Sequence, residues 1–260
     1  MRIGIFDSGI GGSTIAKAVI QSLPHYEYVY YADDSNMPYG DKDAQLLYTL
    51  TTLSLRKLFD RDCNIVILAC NTATTVLPRI QQHWLPQTYP ERKVLGIIRP
   101  TVEHMVKADD NQSIYVLGTA RTVESQSFDH ELIKIGKSCD FHEVSCPALA
   151  YAIENSKDIG HDSNIANLCA QYLQTIPDDR HLYIYLGCTH FAFVSSIIQA
   201  LRPLAKIMDQ GPIVSTSFVQ YLDRHVEIRN RLTKNDKGSL EVSSSSNNKE
   251  YINKVKNLIG

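Results

Sequence analysis

The sequence predicts an α/β fold with mainly parallel sheets, and three observations carry that expectation. Short apolar runs alternate with amphipathic helical stretches along most of the 260 residues. Several runs are almost continuously apolar, such as Ile65-Val66-Ile67-Leu68-Ala69 and Tyr183-Ile184-Tyr185-Leu186. That is the pattern of parallel strands covered on both faces. The chain also reads as a degenerate duplication. Residues 3–12 and 114–125 each supply a strand, a small polar loop and a helix start. A cysteine at a strand end follows each, 63 residues after Asp7 and 69 after Thr119.

The first strand, residues 3–6, runs into Asp7-Ser8-Gly9-Ile10-Gly11-Gly12-Ser13-Thr14. This places a glycine-rich loop at the carboxyl end of an α/β strand, where ligands of such folds sit. The glycines permit close backbone approach, and N–H groups at the following helix start can hold an anion. The phosphate-loop pattern is absent and the spacing is not G-x-G-x-x-G. A tight turn with an N-cap explains the segment equally well. The strand over 28–32 leads into Asp33-Asp34-Ser35-Asn36-Met37-Pro38-Tyr39-Gly40, too polar for core. It reads as a turn, or as a site mouth using the backbone and the Tyr39 hydroxyl.

Residues 43–59 form a helix with Leu46, Leu47, Leu50, Leu53 and Leu58 toward one face. Strand 65–69 ends at Cys70, and Asn71-Thr72-Ala73-Thr74 opens the next helix. Strand 93–97 precedes Arg99-Pro100, a domain boundary because proline disfavours helix just before it. Strand 114–118 leads into Gly118-Thr119-Ala120-Arg121-Thr122, whose hydroxyls suit a carboxylate, although N-capping accounts for one of them. Strand 140–144 ends near Cys146-Pro147, and strand 182–186 ends in Gly187-Cys188-Thr189-His190. A last strand over 205–208 and helices over 211–224 and 248–259 complete the reading, with polar residues 243–247 as a surface loop. The expected domains are residues 1–98 with 207–260, and 99–206.

Hydrophobic residues make up 43% and charged ones 21%, a balance usual for soluble globular chains. A net charge of −2 supplies no basic face for nucleic acid. No apolar run approaches the ~18 residues of a membrane span. The chain enters a strand at once, with no export signal in view, so a cytoplasmic location is expected. The six cysteines form no C-x-x-C pair and read as reduced thiols. Cys63, Cys139 and Cys169 fit as small buried hydrophobes.

Cys70 and Cys188 stand apart. Each lies where a strand hands over to a helix, and N–H groups with the helix dipole stabilise a thiolate at such a place. Two matched thiolates, one from each half, suit a reaction with two opposite faces, such as inversion at a carbon centre. His190 is an acid/base partner for Cys188 or a metal ligand, but an isolated C-x-H offers too few ligands for a metal.

Taken in order, Phe6-Asp7-Ser8-Gly9-x-Gly11-Gly12, Pro38-Tyr39-Gly40, Ala69-Cys70-Asn71-Thr72-Ala73, Gly118-Thr119-x-x-Thr122 and Leu186-Gly187-Cys188-Thr189-His190 resemble bacterial glutamate racemase. This places the chain beside the cofactor-independent aspartate/glutamate racemase superfamily. The resemblance implies two similar doubly wound domains with the active site in the cleft between them. It implies interconversion of L- and D-glutamate without cofactor or metal, supplying the D-isomer for peptidoglycan and hence cell shape. By analogy Cys188 deprotonates the L-isomer and Cys70 the D-isomer. Asp7 would assist Cys70, and His190 would assist Cys188 with Glu154 nearby. Ser8, Tyr39, Gly40, Asn71, Thr72, Thr119, Thr122 and Thr189 match positions lining the substrate pocket, together with Asp7, both cysteines and His190. A homodimer is expected by the same analogy. Some relatives also inhibit DNA gyrase, a partner role that no pattern here reads out.

Three segments depart from the family's common patterns. Ala32-Asp33-Asp34-Ser35-Asn36 stands for Gly-Asp-Thr-Ala-Arg, Ile98-Arg99-Pro100-Thr101 for Ile-Glu-Pro-Gly, and Met208-Asp209-Gln210-Gly211 for Ile-Asp-Ser-Gly. These bear on oligomer geometry and regulation rather than on catalytic positions. The rival readings are an aspartate or broad-specificity racemase, a non-catalytic binding protein of the same fold, and a thiol redox or metal protein.

Overall fold

The computed structural model describes residues 1–107, 112–136 and 139–260. Among the described residues, nine strands form two sheets. The first holds β1 (Arg2–Asp7), β2 (Glu27–Ala32), β3 (Cys63–Leu68), β4 (Lys93–Gly96) and β9 (Ser239–Ser244), in the order β4-β3-β1-β2-β9. The second holds β5 (Ser113–Gly118), β6 (Asp140–Ser145), β7 (Leu182–Leu186) and β8 (Lys206–Met208), in the order β6-β5-β7-β8. Every pairing between these strands is parallel. The duplication therefore extends to topology. β1 and β5 are central, β2 and β6 lie to one side, and β3-β4 and β7-β8 lie to the other. β3 and β7, which run out to Cys70 and Cys188, hold equivalent places.

Strand side chains alternate between faces, and each face of each sheet has its own core. On the first sheet, Ile3, Ile5, Tyr28, Tyr30, Ile65 and Ile67 pack with Val19, Phe218, Val255 and Ile259 from helices Ser13–Ser22, Gln210–Arg224 and Lys249–Ile259. Phe6, Val29, Tyr31, Val66 and Leu68 meet Leu47, Leu55 and Leu58 of helix Ala44–Phe59 on the other face. The second sheet repeats this. Leu182, Ile184 and Leu186 face Leu149, Ile153 and Cys169, while Ile114, Val116 and Tyr185 face Ile98, Val102, Met105 and Phe128. Helix Ile98–Met105 thus packs on the second sheet and helix Gln210–Arg224 on the first.

Four sequence expectations need correction. The boundary placed at 207 falls inside β8, whose Ile207 and Met208 pair with Ile184 and Tyr185 of the second sheet. Ser243 and Ser244 are strand rather than loop. They pair with Tyr31 and Ala32, and β9 as a whole was not expected because its serines carry little strand propensity. The leucine stripe of residues 43–59 was misphased, since Leu46 and Leu53 are 42% and 50% exposed. The inward face runs through Leu47, Thr51, Ser54, Leu55 and Leu58, with two hydroxyl residues taking core positions. The strand expected to end at residue 97 stops at Gly96. Among the described residues, no helix is long and apolar enough to cross a membrane.

The corrected phase makes a sharp contrast within one helix. Leu55→Ala is expected to cost ~2–5 kcal/mol and Leu53→Ala less than ~0.5 kcal/mol, as read by urea denaturation. Equal losses would contradict the helix orientation.

Candidate active site

The carboxyl ends of both sheets meet at a small cavity of about 130 Å³. Ser8, Tyr39, Gly40, Cys70, Asn71 and Thr72 line it from the first sheet's loops, and Thr119, Cys188, Thr189 and His190 from the second's. Asp7, Thr122 and Glu154 stand behind this lining, each bonded to a residue in it. The sequence-predicted set is therefore brought together as a whole. A larger cavity of about 910 Å³ lies elsewhere and includes none of these residues.

Close approach of the two halves depends on the loop after β1. A Cβ on Gly9 would collide with the Glu154 carboxylate, and one on Gly11 would sit 2.5 Å from Thr189 Oγ1 and 2.6 Å from His190 Nδ1. With glycine there, the halves exchange hydrogen bonds directly. Thr189 Oγ1 donates to Asp7 Oδ2 at 3.1 Å, and Ile10 N donates to Glu154 Oε2 at 2.9 Å. Thr72 and Thr119 hydroxyls meet at 2.9 Å across the cavity, and Arg121 N donates to the Gly40 carbonyl at 3.1 Å.

The two thiols have different surroundings. Cys70 caps the short helix Asn71–Thr74, with Ala73 N donating to Sγ at 3.5 Å and Ser8 Oγ in hydrogen-bond contact with the sulfur at 3.6 Å. The sequence predicts a stabilised thiolate there. The structure reverses this. Burial, reinforced by the negative charge of Asp7, outweighs the Ala73 and Ser8 contacts and pushes the Cys70 thiol up to about 12. Cys70 is accordingly held as the protonated thiol near neutral pH. Cys188 opens a 3₁₀ turn, Thr189–Val194, and its sulfur lies 3.9 Å from His190 Nδ1. His190 Nε2 contacts Glu154 Oε2 at 2.6 Å. Burial disfavours a charged His190, but hydrogen bonding and charge attraction to Cys188 and Glu154 win and raise it well above its ordinary value. Burial likewise opposes an ionised Glu154. Its bonds to His190, Ile10 N and Tyr251 hold it below the usual carboxylate range.

Several site residues were not legible in sequence. Tyr251 Oη donates to Glu154 Oε1 at 2.9 Å and Lys254 Nζ donates to the Glu154 carbonyl at 3.1 Å, both from helix Lys249–Ile259. Nothing in that amphipathic helix sets them apart. Asp33, read as turn, is buried and accepts from Tyr39 Oη at 2.6 Å and from Asn36. The Tyr39 hydroxyl is thus committed to Asp33. Gln210 is buried against Asn71. Pro147 and Ala150 complete the cavity wall and carry no polar signal.

A family model described as Asp/Glu/hydantoin racemase matches residues 13–213. A glutamate racemase of Ruegeria sp. (strain TM1040) is 34% identical over 240 residues, covering 88% of this chain and 87% of that protein. Among solved structures, glutamate racemase from Francisella tularensis in complex with D-glutamate aligns with a TM-score of 0.85 at 20% identity, covering 99% and 93% of the two chains. Glutamate racemase RacE1 from Bacillus anthracis aligns at 0.84 with 23% identity, covering 98% and 91%. These two likenesses bear on the fold.

Asp7 yields a stability prediction. Burial pushes its carboxyl from 3.8 up to about 6, against the pull of His190, Gly9 N–H and Thr189. Below pH ~4 folded and unfolded chains both carry the proton. As pH rises toward 6 the unfolded state loses it first, so stability falls, by about 3 kcal/mol once both are ionised. Asp7→Asn removes this dependence. Its melting temperature is expected to exceed that of the wild type at pH 8 and to match it at pH 4. The same difference at both pH values would refute the assignment.

Proposed function

The chain belongs to the Asp/Glu/hydantoin racemase family and is an amino-acid racemase, and from that premise we propose that it interconverts L- and D-glutamate by two-base proton transfer between Cys70 and Cys188. The observation that carries this reading is the shared cavity. The two sulfurs reach it from equivalent strand ends of two different sheets, as a reaction on opposite faces of one carbon requires. The glutamate racemase relative at 34% identity supports the choice of substrate.

In the proposed cycle, Cys188 takes the Cα proton of L-glutamate while the protonated Cys70 delivers one to the opposite face. The reverse reaction exchanges the roles. His190, charged and within reach of Cys188 Sγ, stabilises that sulfur while it acts as the base, and Glu154 holds the ring. Burial, reinforced by its acidic neighbour Asp7, keeps a proton on Cys70. Ser8, Asn71, Thr72 and Thr119 supply donors for the substrate's carboxylates, in a pocket where few waters compete, with Thr122 behind them and the Thr189 hydroxyl held by Asp7. Positioned proton transfer typically contributes ~10²–10⁴-fold, so holding Cα between the two sulfurs supplies much of the remainder. A cytoplasmic, cofactor-free homodimer feeding D-glutamate to peptidoglycan belongs to the same reading and rests on the resemblance.

Racemisation followed by circular dichroism tests it. Wild type is expected to invert both glutamate enantiomers, and Cys70→Ala and Cys188→Ala to invert neither while remaining folded. Faster turnover of L-aspartate would overturn the substrate assignment, and inversion by either alanine variant would overturn the two-base scheme. The asymmetry of the two sides is separately measurable. The enantiomers are equally stable in water, so kcat/KM is the same in both directions for any variant. Glu154→Gln is nevertheless expected to enlarge the primary deuterium isotope effect from [2-²H]-L-glutamate and to shrink it from the D-isomer, because only the Cys188 step is slowed. Equal changes would remove Glu154 from the Cys188 side.

A further inference from the structure

Asn71 follows Cys70 and lines the cavity, and its amide is also half of a buried reciprocal pair. Asn71 Nδ2 donates to Gln210 Oε1 at 2.7 Å, and Gln210 Nε2 donates back to Asn71 Oδ1 at 3.1 Å. Gln210 Nε2 makes a second donation, to Thr101 Oγ1 at 2.8 Å. Exposure of Asn71, Gln210 and Thr101 is 2%, 1% and 0%, which leaves water little chance to replace a missing partner.

A pair of amides by itself has no preferred sense. Turning both over exchanges every donor for an acceptor and preserves both bonds. Thr101 breaks that symmetry. Its single hydroxyl hydrogen goes to the Ile97 carbonyl at 2.7 Å, so while that bond is kept Thr101 Oγ1 is an acceptor toward Gln210. Gln210 must then present Nε2 to Thr101 and Oε1 to Asn71 Nδ2. In the overturned pair Gln210 Oε1 would face Thr101 Oγ1, and the hydroxyl would have to leave Ile97 to donate to it, so two hydrogen bonds become one in a place closed to solvent. The lost bond disfavours that arrangement by roughly tenfold. Polarity thus passes from Ile97 through Thr101 and Gln210 to Asn71, leaving Asn71 one N–H and one lone pair in a defined sense.

The members sit where the chain passes between the sheets. Ile97 and Thr101 lie at the start of helix Ile98–Met105, after β4, and Gln210 is the first residue of helix Gln210–Arg224, after β8. We propose that Thr101 and Gln210 are positioning residues that fix the amide polarity of Asn71, so that its free N–H is available to a carboxylate of the substrate. This rests on the racemase reading, because it gives Asn71 an anionic amino acid to bind.

Thr101→Val keeps the shape and removes the acceptor, whereas Thr101→Ser keeps both hydroxyl functions. Thr101→Val leaves the buried Gln210 N–H without its acceptor, which favours the overturned pair, so KM for both glutamate enantiomers is expected to rise about tenfold, with kcat lowered less, and Thr101→Ser to stay near wild type. Gln210→Met frees the Asn71 amide to turn, with a smaller expected rise in KM of about twofold, and its Asn71 amide exchange decides the matter if Thr101→Val does not fold. A KM within twofold of wild type in a folded Thr101→Val variant overturns the proposal, as does unchanged Asn71 amide exchange in Gln210→Met. A second readout needs no activity. The Asn71 and Gln210 side-chain amide protons, followed by ¹⁵N NMR, are expected to exchange slowly in wild type and Thr101→Ser and rapidly in Thr101→Val. Unchanged exchange in Thr101→Val overturns the relay. A wild type that racemises neither enantiomer refutes the racemase reading, while the amide signals still judge the relay.

Discussion

Three ionisable side chains, Asp7, Glu154 and His190, share one buried volume where the two sheets meet, and neither sheet satisfies them alone. Asp7 needs the Thr189 hydroxyl from the opposite half, and Glu154 needs Ile10 N and the Tyr251 hydroxyl. Buried charge is tolerated only when paired and hydrogen-bonded, so this cluster sets the register of the whole interface. The glycines of the first loop follow from it, because any Cβ at Gly9 or Gly11 would occupy the space those bonds require. The contact between the two halves and the proposed chemistry therefore share the same residues.

Duplication of the architecture did not carry over into duplication of the chemistry. β3 and β7 occupy matching places, yet Cys70 caps an α-helical turn beside a carboxylate while Cys188 opens a 3₁₀ turn beside an imidazole. A helix N-terminus favours a thiolate in isolation. At Cys70 that influence is smaller than desolvation and an adjacent negative charge, and the thiol keeps its proton. The proposed exchange of protons between two faces would be served by such inequality, since one side must give when the other takes.

The legible part of the sequence was the part governed by local rules. Apolar runs and their alternation with helical stretches marked eight strands, and motif order marked the residues that meet at the cavity. β9 escaped because its pairing with β2 comes from tertiary context, with Leu240 and Val242 its only apolar residues. Tyr251 and Lys254 escaped because a side chain that crosses to the other half looks, in sequence, like any polar position on an amphipathic helix. Thr101 and Gln210 were visible only as departures from a family pattern. Their physical sense appears once they are seen to be hydrogen-bonded to each other, 109 residues apart in the chain. Two unrelated-looking substitutions are one interaction.

The interrupted layout of the first sheet has a consequence for synthesis. During translation the second sheet has all four strands once Met208 has emerged from the ribosome, whereas the first still lacks β9 and two of its covering helices. The face formed by Ile3, Ile5, Ile65 and Ile67 waits for Phe218, Val255 and Ile259, near the end of the chain. The nascent protein thus carries an uncovered apolar surface beside an already closed neighbour, the condition under which chaperones bind and in which truncated products aggregate.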